Sequence, residues 1–233
     1  MVFYAPGISG DHCTLDKDES AHAVKSLRLK TGDSITLTDG KGGWYNAVIA
    51  HAHAEHCEVA VTGKRQEAEK QPYRLHIGIA PTKNIDRLGW FVEKSTEIGI
   101  DEITPLLCEH SERKNIPLER LQRIAVAAMK QSGKACLPKL NPLLPLTEWL
   151  KTCESDRKLI AFCGQSPRKN IRTACIPGKS VAVAIGPEGD FSPNEIQQAS
   201  TAGFECITLG KSRLRTETAG IVVCHSIYFL NSE

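Results

Sequence analysis

The chain has 233 residues, 41% of them hydrophobic and 24% charged, which allows one large domain or one ordinary domain with a small partner and excludes disordered and collagen-like chains. Its formal net charge of +2 does not announce a polyanion partner, and the split into net −2 over residues 1–72 and net +4 over 73–233 leaves any such contact to local patches. The longest strongly apolar run, Val181 to Ile185, falls far short of the roughly 18 residues of a membrane span, and MVFYAPG at the start lacks the basic and apolar regions of a signal peptide. A soluble, cytoplasmic protein with no membrane association is expected.

In chain order, a short helix around Glu19 to Leu27 leads to alternating apolar positions at Ile35 and Leu37, a turn at Asp39-Gly40-Lys41-Gly42, and strands at Trp44 to Ile49 and Val59 to Val61. Such a set of short strands predicts a small barrel over residues 1–70. Gly63 to Pro72 is polar and without apolar period, the best linker candidate. Beyond it, over 73–233, strands alternate with helices, the mark of an α/β domain. A strand at Leu75, Ile77 and Ile79 is followed by a helix from about Ile85 to Ile98 that stops at Gly99. A second helix starts near Pro117 with Leu121, Ile124, Ala125 and Ala128 on one face and basic residues on the other. Later strands are Lys158 to Cys163, Val181 to Ile185 and Cys206 to Leu209, the middle one an apolar run of the kind buried on both faces of a parallel sheet.

Three of these strand ends carry unusual loops: Phe162-Cys163-Gly164, Ile185-Gly186-Pro187-Glu188-Gly189-Asp190, and Leu209 through Ala219. Ligands of open α/β sheets bind at the carboxyl ends of strands, where glycine lets the backbone approach a flat ligand. The turn at Gly186 to Gly189 also serves simply to enter a helix, marked by Ser192 as N-cap, Pro193 at the first position and Glu195 completing a capping box. Neither a Walker loop nor a Gly-x-Gly-x-x-Gly fingerprint is present, so phosphate cradling is not indicated.

IGPEG at Ile185 to Gly189 followed by Phe191-Ser192 and Glu195, together with LG…LRTETA from Leu209 to Ala219, closely resembles the ribosomal RNA small-subunit methyltransferases that methylate N3 of one uracil in 16S rRNA, members of the knotted SPOUT superfamily. Lys94, Glu97, Ile98 and Gly99 match that family's Lys-x-x-Glu-Leu-Gly helix end, and Gln131-Ser132-Gly133-Lys134 is similar to its Gln-Ser-Gly-Arg element. Leu27-Arg28 and Asp39-Gly40 extend the resemblance into the first domain, which is similar to the family's PUA-like RNA-binding barrel. Departures are Asp190 where members often have glycine, Ser212-Arg213 in place of Arg-Ile, and the absence of an arginine near the N-terminus.

The resemblance implies a C-terminal trefoil knot, a homodimer that completes the active site, and S-adenosylmethionine as methyl donor, held by Phe162, Gly164, Ile185, Gly186, Gly189, Leu209, Gly210, Leu214 and Thr218. The residues are compatible with this, since Gly164, Gly186, Gly189 and Gly210 allow close backbone approach and Ile185, Leu209 and Leu214 supply apolar walls for adenine. Uracil N3 carries an imide proton, so its methylation requires proton removal and stabilisation of the resulting anion. Arg215 is the first candidate to stabilise it, because guanidinium presents a rigid donor fork. Glu217 and Glu188 are candidates to accept the proton, or else to tie loops together. Lys25, Arg28 and Lys30, and Arg120, Arg123, Lys130 and Lys134, are candidate contacts to 16S rRNA within the small subunit, each with a solvated surface as the alternative role.

Two other clusters yield less. His51, His53 and His56 lie between two strands with no completing ligand spacing, so no metal site is expected. The nine cysteines are scattered, odd in number and without a Cys-x-x-Cys pair, as in a reduced compartment, and most are expected in the core. Two alternatives remain open on the sequence: a related RNA methyltransferase acting on another base or on ribose, and a non-catalytic RNA-binding assembly factor.

Overall fold

The computed structural model describes residues 1–65, 71–164 and 167–232. Two compact units divide the chain: one contains Met1–Lys70 and Val126–Leu137, the other Gln71–Ala125 and Pro138–Glu233. Half of the expected linker, residues 66–70, lies outside the described residues.

The first unit is a five-stranded sheet of β1 (Val2–Tyr4), β2 (His12–Thr14), β3 (Ser34–Thr38), β4 (Trp44–His51) and β5 (Glu58–Lys64), in the order β1-β3-β4-β5-β2. The ladder is antiparallel except for the β1–β3 pair. Register shifts between Asn46 and Ala47 and between Ile49 and His51 bend β4, as bulges do, so the sheet curls over a core of Phe3, Leu15, Ala23, Leu37, Ile49 and Val59. The expected helix is α1 (Lys17–Ala21), capped by the Asp16 side chain, running into a π-helical turn over His22–Ser26. Arg28 follows at φ +57°.

The second unit is built on β6 (Leu75–Ile79), α2 (Ile85–Ile98), β7 (Glu102–Leu107), α3 (Leu118–Gln131), β8 (Lys139–Leu140), β9 (Leu144–Pro145), α4 (Leu146–Thr152), β10 (Arg157–Ala161), β11 (Lys169–Asn170), α5 (Ile171–Ala174), β12 (Val181–Ile185), α6 (Pro193–Thr201), β13 (Glu205–Thr208) and α7 (Thr216–Leu230). Only the last six residues of α3 belong to the first unit. Every pairing is parallel, in the order β11-β13-β10-β12-β6-β7-β8, with β9 on the end of β7. Strands β6 and β12 are wholly buried, because α2 and α7 cover one face and α4 and α6 the other. Gly220 lets α7 come close, since a Cβ there would stand 2.5 Å from the Phe91 ring and 3.1 Å from Ile79.

The structure moves several boundaries. α7 begins at Thr216, so the third expected loop ends at Arg215 and not at Ala219: Glu217 and Thr218 lie in a helical first turn. β4 ends at His51, so His51 and His53 do not share a strand face; instead the His53 and His56 rings stack 3.6 Å apart. Five of the nine cysteines are buried, while Cys136 and Cys163 are exposed. No helix among the described residues is long and apolar enough to cross a membrane.

On the α4 side of the sheet, His76 accepts a hydrogen bond from Trp149 Nε1 at 3.2 Å. Its burial, more than its charged neighbours, lowers its pKa to about 4. A base whose folded pKa lies below its ordinary value of 6.5 takes up a proton first in the unfolded chain, so stability falls as pH drops from about 6.5 towards 4. The difference is about 3 kcal/mol at full development. Urea denaturation at pH 7 and pH 4 should show that this part of the acid sensitivity disappears in His76→Leu, and an unchanged pH slope in the variant would refute the assignment.

Candidate active site

The parallel arrangement brings the carboxyl ends of β6, β12, β10 and β13 to one edge of the sheet, and four loops meet there. After β12, Pro187 O accepts from Asp190 N at 2.9 Å to close a turn, and Asp190 takes φ +63°. Its carboxylate receives Cys163 N, from the loop after β10, at 3.1 Å and Phe191 N at 2.9 Å. His110 Nδ1 donates to Asp190 O at 3.0 Å, and that bond raises the pKa of the exposed imidazole. The β12 loop is joined to α7 by Thr216 Oγ1, which donates to Gly186 O at 3.0 Å. Beyond the loop, the expected capping box is present in both halves, Glu195 N on Ser192 Oγ and Ser192 N on Glu195. Glu195 also accepts Glu109 N at 2.8 Å.

The fourth loop, residues 80–84 after β6, has no counterpart in the sequence reading. Arg113 pins it by donating to Thr82 O and Lys83 O at 3.3 and 2.9 Å, and Glu188 accepts Lys83 N at 3.2 Å. Thus Glu188, exposed at its tip, ties two loops together. Glu217 is different: it is buried, in the first turn of α7, with Arg87 Nε 3.8 Å from its carboxylate. A helix N-terminus favours a negative charge at that position. Arg215 is the N-cap residue of α7 and is exposed, so its guanidinium is free to meet a ligand.

The apolar candidates line the same edge: Ile185 is buried and Phe162, Leu209 and Leu214 are half-buried, leaving ring and methyl surface for a flat heterocycle. The glycines divide. Gly210 has φ +123° and nothing within 4 Å of where a Cβ would stand, the cradle that close backbone approach needs. At Gly164 a Cβ would come within 2.2 Å of the Phe162 ring, at Gly186 within 3.1 Å of Phe191, and at Gly189 within 3.0 Å of His110. In these three the missing side chain makes room for the protein's own rings, and the left-handed backbone belongs to Asp190, not Gly189. Gly189→Val should displace His110 from Asp190 O and weaken donor binding by about tenfold, ~1.4 kcal/mol, with the fold retained. Calorimetric titration with S-adenosylmethionine checks this, and wild-type affinity would mean that the loop does not shape the donor site.

The basic candidates are scattered. Lys25, Arg28 and Lys30 are exposed together near the π-helical turn, and Arg120, Arg123 and the half-buried Lys134 lie on or just beyond α3. Two are engaged within the protein: Arg120 with Asp86 at 2.6 Å, and Lys130 with the buried Glu19. Among the described residues no group of histidine, cysteine and carboxylate side chains is disposed to hold a metal ion.

Comparison with known proteins decides the family. The profile of the RNA methyltransferase domain matches residues 69–228, and that of the RNA methyltransferase PUA domain matches residues 15–62. The chain belongs to the RNA methyltransferase family. A relative from Synechocystis, named ribosomal RNA small subunit methyltransferase E, is 30% identical over 224 residues, 92% of this chain and 72% of its own. Its namesake from Buchnera aphidicola of Acyrthosiphon pisum is 29% identical over 88% of this chain and 83% of its own. Among solved structures, a probable rRNA-methyltransferase from Porphyromonas gingivalis superposes with a TM-score of 0.92 at 42% identity, covering 99% of this chain and 98% of its own. The Neisseria gonorrhoeae ribosomal RNA small subunit methyltransferase E, bound to S-adenosyl methionine, superposes with a TM-score of 0.86 at 28% identity, covering 99% and 97%. Both the α/β unit and the curled N-terminal sheet are therefore those of an RNA methyltransferase with a PUA domain.

Proposed function

We propose that this family member methylates N3 of one uracil in small-subunit ribosomal RNA, in the cytoplasm, as a homodimer, with the catalytic domain in residues 73–233, knotted at its C-terminus, and an RNA-binding domain in residues 1–70. Its methyl donor is S-adenosylmethionine, as bound by the Neisseria relative. The observation that carries the reading is the four-loop edge, where Thr216 and Asp190 cross-link neighbouring loops around half-buried apolar side chains with an unengaged Arg215 beside them.

When bound, the donor supplies an electrophilic methyl group on a sulfonium. Direct displacement needs alignment above all, and the rigid loop edge provides it. Arg215 faces the carbonyl oxygens that gain charge as N3 loses its proton. Glu188, exposed and with one carboxylate oxygen left beside its bond from Lys83 N, is the better placed of the two carboxylates to take that proton, because Arg87 and the start of α7 hold the buried Glu217 as an anion that ties the helix down. Lys25, Arg28 and Lys30 contact phosphates without reading sequence.

Mass spectrometry of 16S rRNA nucleosides from cells without this protein, and after its restoration, tests the reading. Loss and recovery of N3-methyluridine is expected. Recovery of a different methylated nucleoside would move the acceptor to another base or to ribose, and no change in any would leave an assembly factor.

A further inference from the structure

At the opposite, amino-terminal end of the same parallel sheet lies a cavity of about 410 Å³ lined by Arg74, His76, Glu102, Thr104, Asn141 and Trp149 among others. That size falls within the range of small-molecule pockets. His76 stands four residues before the loop that follows β6, about 13 Å along the strand, so the cavity is separate from the methyl-transfer edge.

Its wall is an ordered polar network. Glu102, 6% exposed, accepts from Arg74, from Lys139 Nζ at 3.1 Å and from Asn141 Nδ2 at 2.7 Å. Asn141 Nδ2 also donates to Thr104 Oγ1 at 2.7 Å, and Thr104 Oγ1 lies 2.7 Å from His76 Nε2. Two polar atoms are left over. Trp149 is a donor alone, so its bond to His76 Nε2 fixes that nitrogen as acceptor and puts the proton on Nδ1. No described residue accepts this N–H, although His76 is only 9% exposed. The cavity that His76 lines is the space left for a group to accept it. Because only an amide NH₂ can face the Glu102 carboxylate, Asn141 Oδ1 is the other leftover, an acceptor with no described partner.

A buried neutral donor and an acceptor lining one cavity are the two kinds of group that read the edge of a nucleobase, which carries both acceptors and donors. At the mouth, Arg74 and Lys139 are 55% and 69% exposed in their side chains. Each has N–H groups beyond those given to Glu102, a pair of cations suited to a phosphate. We propose that this cavity binds a nucleoside monophosphate unit, base inward on His76 and Asn141 and phosphate outward on Arg74 and Lys139. The unit is either a free nucleotide or one residue of an RNA strand.

The test is calorimetric titration of the full chain with CMP, whose base is neither the proposed acceptor nor the adenine of the methyl donor. CMP should bind, and cytidine and ribose 5-phosphate, each lacking half of the ligand, should bind about tenfold or more weakly. Asn141→Leu should remove CMP binding and Arg215→Ala should keep it. Because Asn141→Leu also breaks bonds to Glu102 and Thr104, the wild-type indole N–H resonance of Trp149, identified through Trp149→Phe, gives a second readout and should shift on adding CMP. Tighter binding of a cytidine-centred trinucleotide than of CMP assigns the site to RNA, and the reverse to free nucleotide. Equal binding of ribose 5-phosphate and CMP, loss of binding in Arg215→Ala, or no Trp149 shift at millimolar CMP overturns the proposal.

Discussion

Arg215→Ala should lower the rate of methyl transfer about 100- to 1,000-fold, the usual consequence of removing a donor from a developing oxyanion, while leaving S-adenosylmethionine affinity close to wild type. The separation follows from what the side chain does in the structure. Arg215 caps α7 with its backbone, not its side chain, and its guanidinium is exposed, so truncation removes no contact that holds the loops. An interaction formed mainly in the transition state lowers turnover without weakening ground-state binding. The wild-type rate at saturating donor should rise with pH as the N3 proton becomes easier to remove, until the proton is lost or its acceptor is fully ionised. Arg215→Lys should rescue only in part, since a point charge does not reproduce the planar fork. Single-turnover methylation of 30S subunits across a pH series, with chemistry shown to limit the rate, gives the answer. Wild-type turnover with weakened RNA binding in Arg215→Ala would make this arginine a positioning residue and transfer the role to the exposed Arg213.

The strands that carry the site were readable because burial on both faces leaves uninterrupted apolar runs: Val181–Ile185 is β12 as expected, and α2 runs over the expected Ile85–Ile98 to a Gly99 at φ +120°. The capping box before α6 was equally local and equally plain. What periodicity lacked was partner identity. The apolar face of α3 shows that the helix is covered, but not that its last six residues belong with the first unit, where Thr38 Oγ1 reaches Ala135 O. Strands β1 and β2, three residues each, are too short to show alternation. The start of α7 was hidden because Thr216, Glu217 and Thr218 read as a polar loop, whereas in the fold they supply a hydrogen bond to Gly186 and an acidic first turn. The loop at 80–84 was missed for a related reason: its anchor, Arg113, lies about thirty residues away in the chain.

Asp190 permits a prediction in which two effects of one substitution oppose each other. Its φ of +63° strains a residue with a Cβ by about 1–3 kcal/mol, so Asp190→Gly removes strain of the same order as the hydrogen bonds it deletes and should leave the unfolding midpoint close to wild type. The same change deletes the carboxylate that receives Cys163 N and Phe191 N. A hydrogen bond to a charged group contributes about 1.5–3 kcal/mol, and here it joins the β10 loop to the β12 loop. Donor affinity should therefore fall about 10- to 100-fold even as the fold holds. Asp190→Asn keeps one acceptor oxygen and should lie between Asp190→Gly and wild type, while Asp190→Val retains the strain, loses the tie and should be worst in both measures. Calorimetric titration with S-adenosylmethionine beside thermal unfolding separates the two effects. If Asp190→Gly binds the donor as tightly as wild type, the turn conformation alone shapes the site, and the bond from Cys163 to Asp190 contributes nothing to holding the loops for the donor.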